Sequence, residues 1–219
     1  ASTDGQFGKW PRADKELLNQ FHEGLIVFTG CPSGAVQTRL RLGQWDEAVA
    51  EAAELRDIFG AENFYVEVMD HGIDIERRTH QQVLEIAKLM NAPLVATNDA
   101  HYVKRDDRKI QDALLCINSG SRINDPDRFK FDGDGYYIRS SDEMRSLWSE
   151  LPSACDSTLE IAERCDVHFT TTKEGANYMP DFPVPEGEDK TSWFIKEVER
   201  GLRDRFPNGI PDDVRKQAQ

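Results

Sequence analysis

A chain of 219 residues, 38% of them hydrophobic, is long enough to bury one sizeable core, or one core with a small appendage. Its 40 acidic and 27 basic residues give a formal net charge of -13, which repels phosphate backbones at long range and excludes a strong autonomous nucleic-acid binder. No apolar run reaches the roughly 18 residues of a membrane span, residues 1–10 lack the pattern of a signal peptide, and Cys31, Cys116, Cys155 and Cys165 form no CxxC pair. A soluble, cytoplasmic chain without disulfides or a zinc knuckle is expected.

Glu16 to His22 reads as a short helix, and Leu25 to Thr29 as a strand buried on both faces, broken by Gly30-Cys-Pro-Ser-Gly34. Trp45 to Phe59 carries apolar residues at helical spacing and stops at Gly60. Phe64 to Met69 is a second strand, closed by Asp70-His-Gly72; a helix follows from about Ile75 to Met90, and Pro93 to Thr97 is a third strand. Three strand–helix units in series imply an α/β fold with a parallel sheet or barrel. Beyond Arg105 the rhythm changes. A helix over Arg108–Asn118 leads to a turn-rich stretch from Ser119, an isolated strand at Gly135–Arg139, and a helix over Ser141–Trp148 opened by a Ser-x-x-Glu cap. Pro152–Cys165 is a further helix, Thr170–Gly175 and Tyr178–Gly187 read as polar and proline-rich linker, and Thr191–Phe206 is a last helix.

In parallel α/β folds the working residues sit at the C-terminal ends of strands. Those ends carry Gly30-Cys31, Asp70-His71 and Asn98-Asp-Ala-His101. Residues two apart on an extended chain share a face, so Asp99 and His101 are candidate ligands of one ion, and Cys31 can join them from another strand. Thiolate, imidazole and carboxylate suit zinc or a mixed transition-metal site. The bland reading is a hydrogen-bonded strand end with a buried cysteine. His71 and Glu67 read as hydrogen-bonding residues, Lys104, Arg105, Arg108 and Lys109 as a solvated helix start, and Tyr136-Tyr137 as core and strand edge.

Gly24-Leu-Ile-Val-Phe-Thr-Gly-Cys-Pro-Ser-Gly34, Tyr65-Val-Glu-Val-Met-Asp-His-Gly72 and Pro93-Leu-Val-Ala-Thr-Asn-Asp-Ala-His-Tyr102 resemble, in order, signatures of the PHP domain of bacterial DNA polymerase III alpha subunits. The similarity continues through Asp112–Ile117, Asp125–Phe131, Tyr136–Ile138, Thr158–Arg164 and Phe182–Gly187, with an actinobacterial cast at Arg39–Gln44 and Phe131–Tyr136. The resemblance implies part of a distorted seven-stranded α/β barrel over residues 1–118. An α+β exit segment over 119–176, a proline-rich linker over 177–190 and a helix leading toward the palm over 191–219 would follow.

It also implies a mouth holding up to three divalent ions through nine ligands, of which Cys31, Asp99 and His101 match the last three. Zinc or manganese is expected there, with magnesium in the parent's polymerase site. In such a site Asp99 and His101 would take the catalytic roles of a phosphoesterase-like centre, in some members a 3'-5' proofreading exonuclease. The parent would extend primer-template DNA from dNTPs together with a sliding clamp and other replisome subunits. The family's His-x-His and other upstream ligands have no counterpart here, nor do the paired palm aspartates, since Pro183 follows Met179-Pro-Asp-Phe182. The piece alone is therefore expected to be inactive and to bind DNA weakly. Two alternatives are a free-standing PHP phosphoesterase, which needs a full ligand set, and a non-catalytic scaffold bracing the polymerase core.

Overall fold

A computed structural model describes residues 6, 7, 10–171, 175 and 179–218. Two compact units divide the chain, Ala1–Asp166 and Val167–Gln219. The first extends past residue 118, the expected end of the barrel portion, and takes in the helices of the exit segment.

The first unit begins with a two-residue antiparallel pair, β1 (Gln6–Phe7) and β2 (Trp10–Pro11), and α1 (Lys15–Gln20), capped by the Asp14 carboxylate. Its centre is a three-stranded parallel sheet in the order β3 (Val27–Phe28), β4 (Phe64–Val68), β5 (Leu94–Ala96). Between β3 and β4 run α2 (Ala35–Arg41) and α3 (Trp45–Phe59); between β4 and β5 runs α4 (Asp74–Met90). All five residues of β4 are buried, as a central parallel strand requires. β3 is shorter than expected and only half-buried, because among the described residues it pairs on one side only, and Leu25 is exposed.

The core joins Phe64, Val66 and Val68 of β4 to Val36 and Leu40 of α2, Ala48 and Ala52 of α3, and Val83, Ile86, Ala87 and Met90 of α4. Four of these α4 positions fall at helical spacing, and Asn91 ends the helix in the left-handed conformation it tolerates. The α2 helix is not among the elements expected from the sequence. It has seven residues and no side-chain cap, so its start depends on Gly34, where a Cβ would lie 3.1 Å from the carbonyl oxygens of both Cys31 and Thr29.

After β5, α5 (Arg108–Ser119) ends at Gly120, α6 (Ser141–Leu147) opens with a reciprocal Ser140–Glu143 capping box, and α7 (Pro152–Arg164) brings Ala154 and Cys155 into the core. Arg128 holds the turn-rich stretch to α5 through Asp112, 2.7 Å from Nη2, and this guanidinium holds the Asp112 carboxyl below its usual range. The expected strand at Gly135–Arg139 is instead a single parallel bridge, Tyr102 to Tyr137. The Gly135 and Tyr137 carbonyls accept from the Asn98 side chain instead of from a neighbouring strand.

In the second unit, α8 (Lys190–Arg205) is capped by Asp189; the helix expected over 191–219 is interrupted after Phe206, and a separate α9 (Asp212–Gln217) follows. The linker expected at Tyr178–Gly187 has no helix or strand over 179–187; Tyr178, and residues 172–174 of the expected polar stretch, lie outside the described residues. No described helix is long and apolar enough to cross a membrane.

Candidate metal centre

The C-terminal ends of the three parallel strands are tied together through one buried residue, Glu67. Glu67 is 7% exposed near the end of β4; its backbone amide donates to Thr29 Oγ1 at the end of β3 (3.0 Å), and its Oε1 accepts from Thr97 Oγ1 past β5 (2.6 Å). Burial pushes the Glu67 carboxyl above its ordinary value; the Thr97 hydrogen bond opposes this, and the nearby charge of Asp99 adds to it. Glu67 thus connects the strand that leads to Cys31 with the strand that leads to Asp99.

Asp99 and His101 lie on the segment after β5. Asp99 has φ +35°, an uncommon left-handed conformation for a residue other than glycine. Its carbonyl lies 2.7 Å from His101 Nδ1, and its carboxylate Oδ1 lies 3.8 Å from the same nitrogen. An Nδ1–H donated to that carbonyl leaves the Nε2 lone pair free, which is the tautomer a metal-binding imidazole needs. The ring is steadied by Phe131 (centroids 4.5 Å apart) and by the edge of Tyr136 (5.8 Å). Both side chains stay partly open to solvent.

Cys31 is partly buried on the turn after β3, where its carbonyl accepts from the Gly34 amide. Among the described residues no three His, Cys, Asp or Glu side chains come together as a group able to hold a metal. The structure therefore brings Asp99 and His101 together, and among the described residues Cys31 joins no three-donor group with them. The donor types of the pair suit a divalent ion, but two donors do not close a site that calls for three or more protein ligands.

From the sequence, His71 is expected only as a hydrogen-bonding residue at a strand end. It is 6% exposed, with Nδ1 2.6 Å from Glu76 Oε1, Nε2 3.0 Å from the Asn98 carbonyl, and its ring stacked on Tyr136 at 4.1 Å. Burial lowers the His71 value, but the Glu76 and Asn98 hydrogen bonds outweigh it and the net shift is upward. The available signal was the spacing of His71 and Glu76 across a helix start, which alone does not reveal a buried pair. Tyr136 is core, as expected, and burial pushes its hydroxyl up to about 12. Of the basic group, Arg105 is tied to Asp134 at 3.1 Å, while the Lys104 amide donates to Asp107.

Residues 1–71 match the family model of the PHP domain, a stretch that contains Cys31 and His71 but stops short of Asp99 and His101. The DNA polymerase III subunit alpha of Mycobacterium tuberculosis (strain ATCC 25618 / H37Rv) is 53% identical over 219 residues, all of this chain. The chain is homologous, end to end, to a segment of bacterial DNA polymerase III alpha subunits. The Mycobacterium leprae protein is 53% identical over 97% of the chain, and that of Treponema pallidum 37% identical over 94%. The chain spans only 18% of the length of the mycobacterial relatives. The PHP match and the small parallel sheet agree with the α/β class expected of the resemblance.

Proposed function

We propose that this chain is part of a replicative DNA polymerase III alpha subunit, working in the cytoplasm, and that Asp99 and His101, with Cys31, supply ligands to its PHP metal centre. The observation that carries this reading is the 53% identity maintained over all 219 residues, which includes the strand ends and the exit segment alike. A free-standing PHP phosphoesterase has no comparable support, since the relatives matched beyond residue 71 are polymerase subunits. On this reading the three-stranded sheet is a portion of a distorted seven-stranded barrel.

In that centre Asp99 offers a carboxylate and His101 the free Nε2 of a ring whose other nitrogen is engaged. A bound divalent ion, zinc or manganese by its donors, would supply Lewis-acid activation of water and charge neutralisation at a phosphodiester. Phe131 and Tyr136 limit the rotation of the His101 ring, and Glu67 ties the strand ends together. The parent protein would use primer-template DNA, dNTPs and magnesium at a separate polymerase centre and would meet the sliding clamp and other replisome subunits. A second reading, in which the barrel braces the polymerase without chemistry of its own, draws on the hydrogen bonds through Glu67 that tie the three strand ends together.

The two readings part on one assay. In the full-length protein, Asp99→Ala with His101→Ala should leave primer extension intact and abolish removal of a 3'-mismatched nucleotide in manganese or zinc. Equal excision by wild type and variant would favour the scaffold, and a full-length protein unable to extend a primer would overturn the polymerase reading.

A further inference from the structure

The Asn98–His101 segment is gripped from two sides by groups that owe their placement to His71. On one side His71 Nε2 meets the Asn98 carbonyl at 3.0 Å, the peptide immediately before Asp99. On the other, the His71 ring stacks on Tyr136 at 4.1 Å with an interplanar angle of 10°, and the Tyr136 carbonyl accepts the backbone amides of His101 (2.7 Å) and Tyr102 (3.2 Å). Asn98 closes the loop by donating from Nδ2 to the Gly135 carbonyl (3.2 Å) and the Tyr137 carbonyl. The fit is close: a Cβ on Gly135 would lie 3.1 Å from His71 Cα and 2.7 Å from Arg139 Nη2.

His71 is itself fixed. Glu76, 7% exposed, accepts the His71 backbone amide with one carboxylate oxygen (2.7 Å) and Nδ1 with the other (2.6 Å). A carboxylate faces one ring nitrogen and a carbonyl faces the other, an arrangement in which each nitrogen can donate and which favours the imidazolium form. A left-handed Asp99 does not hold its conformation unaided; such a backbone persists where the surroundings over-determine it. His71 is the residue that touches both the peptide before Asp99 and the aromatic residue whose carbonyl anchors His101.

We infer that His71, paired with Glu76, is a positioning residue for Asp99 and His101: it keeps the carboxylate and the imidazole within reach of one another so that they act as joint ligands. This rests on the reading of Asp99 and His101 as metal ligands. Partners that orient ligands in this way typically govern metal affinity by about 10–100-fold.

The test uses the full-length protein and Mn2+ alone, with free Mn2+ followed by electron paramagnetic resonance, and a parallel thermal melt of each metal-free variant. Asp99→Ala defines the binding that belongs to this site. His71→Ala should weaken that binding by about 10–100-fold, and His71→Gln, which returns an N–H near the position of Nε2, should recover most of it. Both variants leave Glu76 without its cation, so their melting temperatures should fall together. Affinity that recovers while melting does not is the signature of positioning. The inference is overturned if His71→Ala binds Mn2+ as the wild type does while Asp99→Ala does not, or if affinity follows melting temperature in both variants. If Asp99→Ala changes nothing, the ligand reading fails first and this one with it.

Discussion

Two helices with similar sequence patterns meet opposite fates. In α4 the apolar stripe of Val83, Ile86, Ala87 and Met90 is buried in the core around β4. In α8 no residue is buried, the apolar Trp193, Phe194 and Ile195 included, and α9 has none either. Phe194 and Ile195 are 68% and 56% exposed, and Phe194, with Trp193 and with Phe182 and Val184 of the preceding stretch, lines an open apolar groove within the second unit. Amphipathic spacing states which residues favour burial, but a sheet must be present to bury them. Among the described residues the first unit has that sheet and the second has none.

The contrast can be broken by substitution. Phe64→Ala, at a side chain with no exposure in the central strand, should destabilise the first unit by about 3–5 kcal/mol in a urea titration. Arg164→Ala should cost about 1 kcal/mol, because its guanidinium ties the end of α7 to the Glu62 carbonyl, Asn63 and the Tyr65 hydroxyl. Phe194→Ala should stay within about 0.5 kcal/mol, as expected of an exposed position. A loss at Phe194 comparable to that at Phe64 would mean that α8 is buried after all and would remove the distinction.

A pH titration sharpens the same picture. The folded state holds the His71 proton more tightly than the unfolded chain does, because Glu76 and the Asn98 carbonyl stabilise the imidazolium. The folded state therefore binds more protons across the window between the two values, and stability must fall as pH rises through it. The contribution should be complete below the ordinary imidazole value of 6.5 and lost as pH climbs through the raised folded value. Melts at successive pH values should show this decline in the wild type and lack it in His71→Gln.

What could be read from sequence follows the same division. The bounds of α3 and the alternation of strands with α4 were legible because burial, spacing and stop signals coincide there. The α2 helix was not, since seven residues with no side-chain cap leave little periodicity to read. Asp99 and His101 were legible from a two-residue spacing at a strand end. The left-handed Asp99 and the His71–Glu76 pair were not, because both arise from chain segments brought together by the fold: Tyr136 is 65 residues beyond His71 in the chain yet stacks on its ring. The tie of Thr29 and Thr97 to Glu67 was equally hidden, since it depends on the strand order β3-β4-β5.

The most direct test of the central claim is anomalous diffraction from crystals of the full-length protein grown with Mn2+. An anomalous peak within coordinating distance of His101 Nε2 and the Asp99 carboxylate is the expected result, and its distance from Cys31 Sγ would decide whether the thiolate joins them. An ordered Asp99–His101 segment with no peak beside either side chain, in crystals where Mn2+ is visible elsewhere, would contradict the assignment.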